Sequence, residues 1–297
     1  MKSTDLVFES TGFRLNWVTN NWKSATGLPR DPPLAAFGEI QAGEVATYFL
    51  SLPEDQRPTA IWSSPYYRCI QTAKPISIAL GVPILIEHGL SEWYSPVEPG
   101  TGLHPRPSSA VSLQTHFPEI DPTTWSSVWY PSRKGEDVGE VHERVAGFLE
   151  AFVPEIERRS AHKRVLVVSH AATAIALARV LVGDRVLPLR IACCSLTMVE
   201  KKDDARQKQE GAWEARMLGS GSHLKEGSQR DWGFEDIQIA DGKVMFFLLV
   251  GVTTTPCLIF WILFLNQVVN DHGVPGTEHE VDEPVGCQLK DLTQARM

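Results

Sequence analysis

The stretch Ile61–Ala73, IWSSPYYRCIQTA, constrains the fold more than any other part of the chain. An apolar run ends at Ser63-Ser64-Pro65 and passes directly into a helical pattern that carries Arg68. A guanidinium at the carboxyl end of a strand, beside a helix N-terminus, sits where open α/β sheets bind ligands and where anions are favoured. A second stretch, Arg164–Val180 (RVLVVSHAATAIALARV), has the same layout: the strand Val165–Val168 ends at Ser169-His170 and a helix begins at Ala171. Two strand ends thus offer an Arg and a His. Their convergence on one anion suggests phosphate chemistry, with His170 as electrostatic partner or proton donor.

The remaining segments alternate in the same way. Leu6–Phe8 ends a short strand before Glu9-Ser10-Thr11-Gly12, and Ile40, Val45, Phe49 and Leu52 recur at helical spacing in a helix from about Phe37 to Leu50. Pro65 and Pro75 bracket a helix that continues to Leu80, Gly81 breaks it, and Val82–Ile86 is the next strand. Between Leu90 and Pro131 neither period holds, which predicts a long insertion or lid over residues 90–131 whose tryptophans pack rather than stack on bases. Helical spacing returns in Glu140–Arg159 through Val141, Val145, Phe148, Leu149 and Phe152, and Cys193–Val199 is a late strand. This alternation predicts one α/β domain over residues 1–200, a doubly wound and mostly parallel sheet with helices on both faces. Residues 201–243 follow as a small appended ribbon holding the strand-like pieces Trp213–Leu218 and Trp232–Ile239.

With 297 residues and 43% hydrophobic content the chain can bury a full core. A formal charge of -8 argues against a broad footprint on a phosphate backbone, so direct nucleic-acid binding is not expected. The five cysteines (Cys69, Cys193, Cys194, Cys257, Cys287) form no CxxC pair, which fits a reducing compartment. His104, His116, His142 and His162 lack ligand spacing, so neither a metal nor a cofactor is assigned. The first residues, MKSTDLVFES, contain no long apolar run and hence no visible secretory signal.

The block Val244–Gln267 holds no charged residue and is long enough to cross a bilayer. Three readings stay open. It is a tail anchor, although Gly251 and Pro256 interrupt it and no Lys or Arg cluster follows; or a buried core segment; or a translated intron. For the last, every Val codon begins with GT, one Gln codon ends in AG, and pyrimidine-rich DNA encodes Phe, Leu and Ile. The tail, residues 268–297, reads as polar and flexible.

Several motifs together carry a resemblance. Ser64-Pro-Tyr-Tyr-Arg68-Cys-Ile-Gln-Thr-Ala73, Glu92 within Gly89-Leu-Ser-Glu-Trp93, Ser169-His170-Ala171, and Pro33-Leu34 followed by Gly38 and Gln41-Ala42 match in order and spacing from Gly12 to about Glu200. The chain resembles the histidine phosphatase, or phosphoglycerate-mutase-like, superfamily. The resemblance implies a phosphate held by Gly12, Arg68 and His170, with Glu92 as the acid that protonates the leaving alcohol. It also implies hydrolysis of a phosphorylated small molecule or protein through a phosphohistidine formed by the His of an Arg-His-Gly motif. At that motif this chain has Ser10-Thr11-Gly12, so the clamping Arg and the attacking His are both missing. A Thr hydroxyl is a poor nucleophile without an adjacent base, and the chain as written is expected not to be a competent phosphatase. Arg14 is either a further phosphate-facing residue or, as we favour on sequence, a plain surface cation.

Phe13-Arg-Leu-Asn-Trp17, Glu92-Trp93-Tyr94, His170-Ala-Ala172, Cys194-Ser-Leu196 and Trp232-Gly-Phe234 are similar to the fungal branch of that superfamily found in a subunit of RNA polymerase III transcription factor IIIC. This second similarity implies the alternative function, a non-catalytic assembly subunit partnered by other transcription-factor subunits. Location is then nuclear or cytoplasmic, and tail-anchored only if the apolar block is a genuine span.

Overall fold

The computed structural model describes residues 5–159, 164–203, 208–240, 243–246, 267–269 and 271–290. Apolar runs bounded by turn residues form strands, and the helically spaced segments between them form the layers on either side. In chain order the elements are β1 (Asp5–Ser10), α1 (Ala36–Ser51), β2 (Ala60–Ser63), α2 (Tyr67–Leu80), β3 (Ile84–Ile86), α3 (Ala110–Gln114), β4 (Trp129–Tyr130), α4 (Val138–Arg159), β5 (Arg164–Ser169), α5 (Ala171–Val182), β6 (Leu196–Lys201) and β7 (Trp213–Ser220). The main sheet runs β3-β2-β5-β1-β6-β7; the first four strands are parallel and the last two antiparallel. The mostly parallel α/β sheet expected from the alternation is thus the observed architecture.

Alternation along each strand divides the core into two faces. Leu6, Phe8, Trp62, Val165 and Val167 pack with α4 and α5, while Val7, Ile61, Leu166 and Val168 pack with α1 and α2. Trp125 of the insertion joins the first face, with its ring 5.2 Å from Trp62 and 5.7 Å from Phe152, so it is a packing residue. Pro75 does not bound α2: the helix runs through it and ends at Gly81, whose φ of 65° is the left-handed conformation of a glycine cap.

Three regions differ from the sequence reading. Trp213–Ser220 is the antiparallel edge strand of the main sheet, paired with β6, rather than part of an appended ribbon. Its in-out pattern is partly polar because one flank of an edge strand faces water. Second, the segment from Trp232 begins as a loop and short turn, and only Ile237–Ala240 (β8) is a strand. It pairs with β9 (Lys243–Phe246), which pairs with β10 (Gln267–Val269), forming a small separate sheet. Most of the apolar block, residues 247–266, lies outside the described residues. Among the described residues no helix is long and apolar enough to cross a membrane.

Third, residues 271–290 are docked, not free. β11 (Gly286–Cys287) pairs with β4, and Asp282 takes Arg106 (3.0 Å), Ser132 Oγ (2.8 Å) and the Arg133 N–H (2.9 Å). This part of the polar tail is therefore not flexible, because its polar groups pair with those of the insertion and of the residues that follow it.

Glu87 anchors the insertion at the end of β3. Fully buried, its carboxylate accepts from the Gly89 N–H (2.8 Å), Ser127 Oγ (2.9 Å), Trp125 Nε1 (2.9 Å) and the Val128 N–H (2.9 Å). Burial pushes its pKa up to about 7, against the pull of those donors. Since all of these neighbours donate, as does the Trp129 N–H at 3.3 Å, Glu87→Gln turns an amide N–H₂ toward donors. A loss of about 2–3 kcal/mol is expected in urea unfolding.

Candidate functional site

The parallel strands β1, β2 and β5 end side by side, at Ser10, Ser63 and Ser169. Arg68 enters the first turn of α2, and His170 stands at the N-cap of α5 without a side-chain capping bond, so its ring is available to other partners. Arg68 Nη2 lies 3.1 Å from His170 Nδ1, so the guanidinium and the imidazole predicted to converge do so. Glu92 joins them, with Oε2 3.0 Å from Arg68 Nη2 and 3.3 Å from His170 Nδ1. Ser64 Oγ sits 2.8 Å from His170 Nε2, and the Tyr66 ring meets the imidazole edge-on at 5.0 Å.

Gly12 belongs to the same cluster. Its N–H donates to Thr72 Oγ1 (3.1 Å), which donates to the Arg68 carbonyl (2.9 Å). A Cβ at Gly12 would stand 2.8 Å from the Gly38 carbonyl oxygen, and one at Gly38 would stand 2.2 Å from the Phe13 carbonyl oxygen. These close approaches explain the glycine in the first-helix motif: α1 is pressed against the exit of β1, and Gln41 Oε1 accepts the Phe13 N–H (3.1 Å).

Asp31 is the site residue that sequence reasoning missed. Its Oδ1 lies 2.9 Å from Arg68 Nη1 and its Oδ2 accepts the Tyr67 N–H at 2.7 Å, so one carboxylate neutralises the Arg and caps α2. Within the loop Arg30-Asp31-Pro32-Pro33 it looks like an ordinary turn residue, and nothing local names the helix it caps. Both Asp31 and Arg68 are 1% exposed. Breaking a buried pair strands the surviving charge, so Asp31→Ala is expected to destabilise by about 3 kcal/mol or more in chemical denaturation, and Asp31→Asn by less because it still accepts from Tyr67.

The electrostatics follow from burial and these contacts. Burial works against charge on Arg68, but Asp31 and Glu92 outweigh it and hold the guanidinium protonated. Burial likewise opposes ionisation of Glu92, yet His170, Arg68 and Arg14 hold its carboxyl well below the usual range. Burial pushes His170 down to about 4, so the imidazole is neutral at neutral pH. The Arg68 charge is therefore already answered by two carboxylates.

A cleft of about 290 Å³ opens beside this cluster, lined by Arg14, Trp22, Arg30, Arg68, Glu92 and Tyr94 among others. Arg14, favoured on sequence as a surface cation, is a cleft residue. Its guanidinium lies 4.2 Å from the Trp17 ring, its Nε is buried without a hydrogen-bond partner, and burial and the charge on Arg68 lower its pKa. Ser10 and Thr11 do not contribute. The Ser10 hydroxyl is bonded back to the Ala192 carbonyl, and the Thr11 hydroxyl reaches only the Gly12 carbonyl at 3.4 Å.

The model of the histidine phosphatase superfamily (branch 1) matches residues 18–213, and the chain belongs to that superfamily. The matched span begins just past Ser10-Thr11-Gly12. Over 251 residues the chain is 31% identical to the transcription factor tau 55 kDa subunit of Saccharomyces cerevisiae, covering 75% of this chain and 57% of that protein. The chain thus spans a little over half the length of that relative. Among solved structures, the ecdysone phosphate phosphatase from Bombix mori in complex with tungstate aligns with a TM-score of 0.53 at 18% identity, covering 73% of this chain and 93% of that one. Mycobacterial hydrolase 2 aligns with a TM-score of 0.48 at 20% identity, over 74% of this chain and 91% of its own. At 18% identity the likeness to the first of these speaks for the fold alone.

Proposed function

We propose that the chain, in this form, is a non-catalytic assembly subunit related to transcription factor IIIC, with a histidine-phosphatase pocket that at most senses a phosphorylated small molecule or protein. One observation carries this reading. The strand end that would present the attacking imidazole carries Thr11, whose hydroxyl faces backbone, while Arg68 stands paired with Asp31 and Glu92. Without a nucleophile, the remaining roles for Gly12, Arg68, Glu92 and His170 are binding roles, and Arg14 is the cleft cation with no ion pair among the described residues. The similarity to the yeast tau 55 kDa subunit supports transcription-factor subunits as partners and the nucleus as location. The test is co-purification of the tagged full chain with the other subunits of that factor from nuclear extract. Recovery with them is expected; recovery of none, together with measurable phosphomonoester turnover, would overturn the reading.

A second reading, a phosphomonoesterase whose gene model has lost its nucleophile, has a specific observation in its favour. Glu9, in the central strand immediately before the departure, is a buried carboxyl without a conventional partner, which costs stability in a strand that otherwise fills the core. On that reading Ser10-Thr11 comes from a misjoined or omitted upstream exon, and 244–267 is a retained intron. Sequencing the transcript across both junctions decides it: a mature message that still encodes Phe246–Leu265 would defeat the intron.

A further inference from the structure

Arg30 joins the cleft to the C-terminal segment. Its carbonyl accepts from Arg68 Nη1 at 3.3 Å, while its own guanidinium reaches the other way. Nη1 stands 3.2 Å from Asp271 Oδ1 and 3.1 Å from His104 Nδ1, and Nη2 donates to the His272 carbonyl at 2.6 Å. The residue is held at φ 62°, in the left-handed region that a non-glycine occupies only when its surroundings fix both ends. Asp271 is itself fixed. Its second oxygen accepts from Ser95 Oγ, its carbonyl accepts the Glu98 N–H at 3.0 Å, and three residues on the Val274 N–H donates to the Leu103 carbonyl at 2.8 Å. Farther along, Asp282 fastens the segment to Arg106 and Arg133.

We propose that residues 271–282 form an intramolecular strap whose Asp271 carboxylate stands in for a ligand on Arg30, so that a phosphomonoester entering the cleft must displace it. The proposal rests on the reading of the cleft as an anion site. The chemistry is a competition between two anions for one guanidinium. Arg68 is answered by buried carboxylates, Arg14 has no ion pair among the described residues, and Arg30 is held by a carboxylate from a distant part of the chain. A phosphate bridging Arg14 and Arg30 gains two cations only if Asp271 lets go. Displacement is reciprocal: whatever loosens the strap tightens phosphate, and phosphate loosens the strap by the same factor.

The test uses the full chain and inorganic phosphate as the probe. Calorimetric titration of Asp271→Asn is expected to show binding roughly two- to fivefold tighter than the parent, the upper part of the range for one partly exposed ion pair. Ser95→Ala, which removes the other anchor of the carboxylate, is expected to tighten binding by less and serves if Asp271→Asn folds poorly. Saturating phosphate is expected to raise amide exchange across 271–276 in the parent chain. Equal affinity in parent and both variants, or exchange in 271–276 unmoved by bound phosphate, overturns the strap. If the parent binds phosphate and Arg14→Ala abolishes it while the strap variants change nothing, the anion site stands and only the strap fails. If no variant binds phosphate, both fail.

Discussion

Ser10→Arg combined with Thr11→His is expected to raise hydrolysis of a generic phosphomonoester by about a hundredfold or more over the parent chain, which should turn over at background. Removal of a covalent nucleophile costs roughly 10⁶-fold in a protease analogue, so restoring one into a partly prepared pocket leaves ample room for such a gain. The preparation is visible. Arg68, Glu92 and His170 lie within 3.3 Å of one another at the strand ends, and Gly12 holds the turn against α1. A new imidazole at position 11 would leave the same strand end from which the Thr11 N–H bonds to the Ser169 carbonyl (3.0 Å), next to His170 in sequence. The gain is expected to stop short of a full enzyme, because the Arg68 guanidinium is shared by Asp31 and Glu92. No gain would leave the pocket with binding as its one role.

Glu9→Leu is expected to stabilise the chain by about 2–3 kcal/mol at neutral pH, a large change for one substitution. Glu9 is fully buried between β5 and β6, on the face packed against α1 and α2, and neither carboxyl oxygen has a conventional hydrogen-bond partner. Burial raises its pKa well above the ordinary 4.5, and the nearby Cys194 thiol, a weak donor, offsets only part of that. The sign of the pH dependence follows. A raised folded pKa means that the contribution is fully present below pH 4.5 and is lost as pH rises toward the folded value, because the unfolded chain releases a proton that the folded chain keeps. His170 acts in the opposite sense, its depressed pKa of about 4 removing stability as pH falls below its ordinary 6.5. The difference between Glu9→Leu and the parent isolates the first effect: in urea unfolding it should widen as pH rises above 4.5. Glu9→Gln, which leaves an unpartnered polar group, should recover little of the gain.

What could be read from the sequence was the local part of the design. Arg68 and His170 each follow an apolar strand and open a helix, so their meeting needed only that β2 and β5 be neighbours in a parallel sheet, and they are. Periodicity likewise located α1, α4 and α5 to within a residue or two, because their apolar faces are continuous. Asp31 was hidden because the helix it caps begins 36 residues further on, and a turn aspartate carries no mark of a distant partner. The docking of 271–290 was hidden for a related reason: Asp282 and Asp271 look like solvated charges until the insertion supplies Arg106 and the loop before α1 supplies Arg30. Arg14 was misjudged because a cation after a glycine turn is most often exposed, and only the Trp17 ring and the cleft walls bury it. The strand at Trp213–Leu218 could be read, but not its place at the edge of the main sheet, because a short strand carries no mark of the strand it pairs with.

The most direct measurement traps the intermediate. The full parent chain, mixed with a radiolabelled phosphomonoester and quenched in base, should carry no protein-bound phosphate, whereas the Ser10→Arg, Thr11→His chain should carry label that is stable to base and released by acid, at position 11. Stoichiometric acid-labile label on the parent chain would show that an imidazole of this chain already accepts phosphate, and would contradict the account.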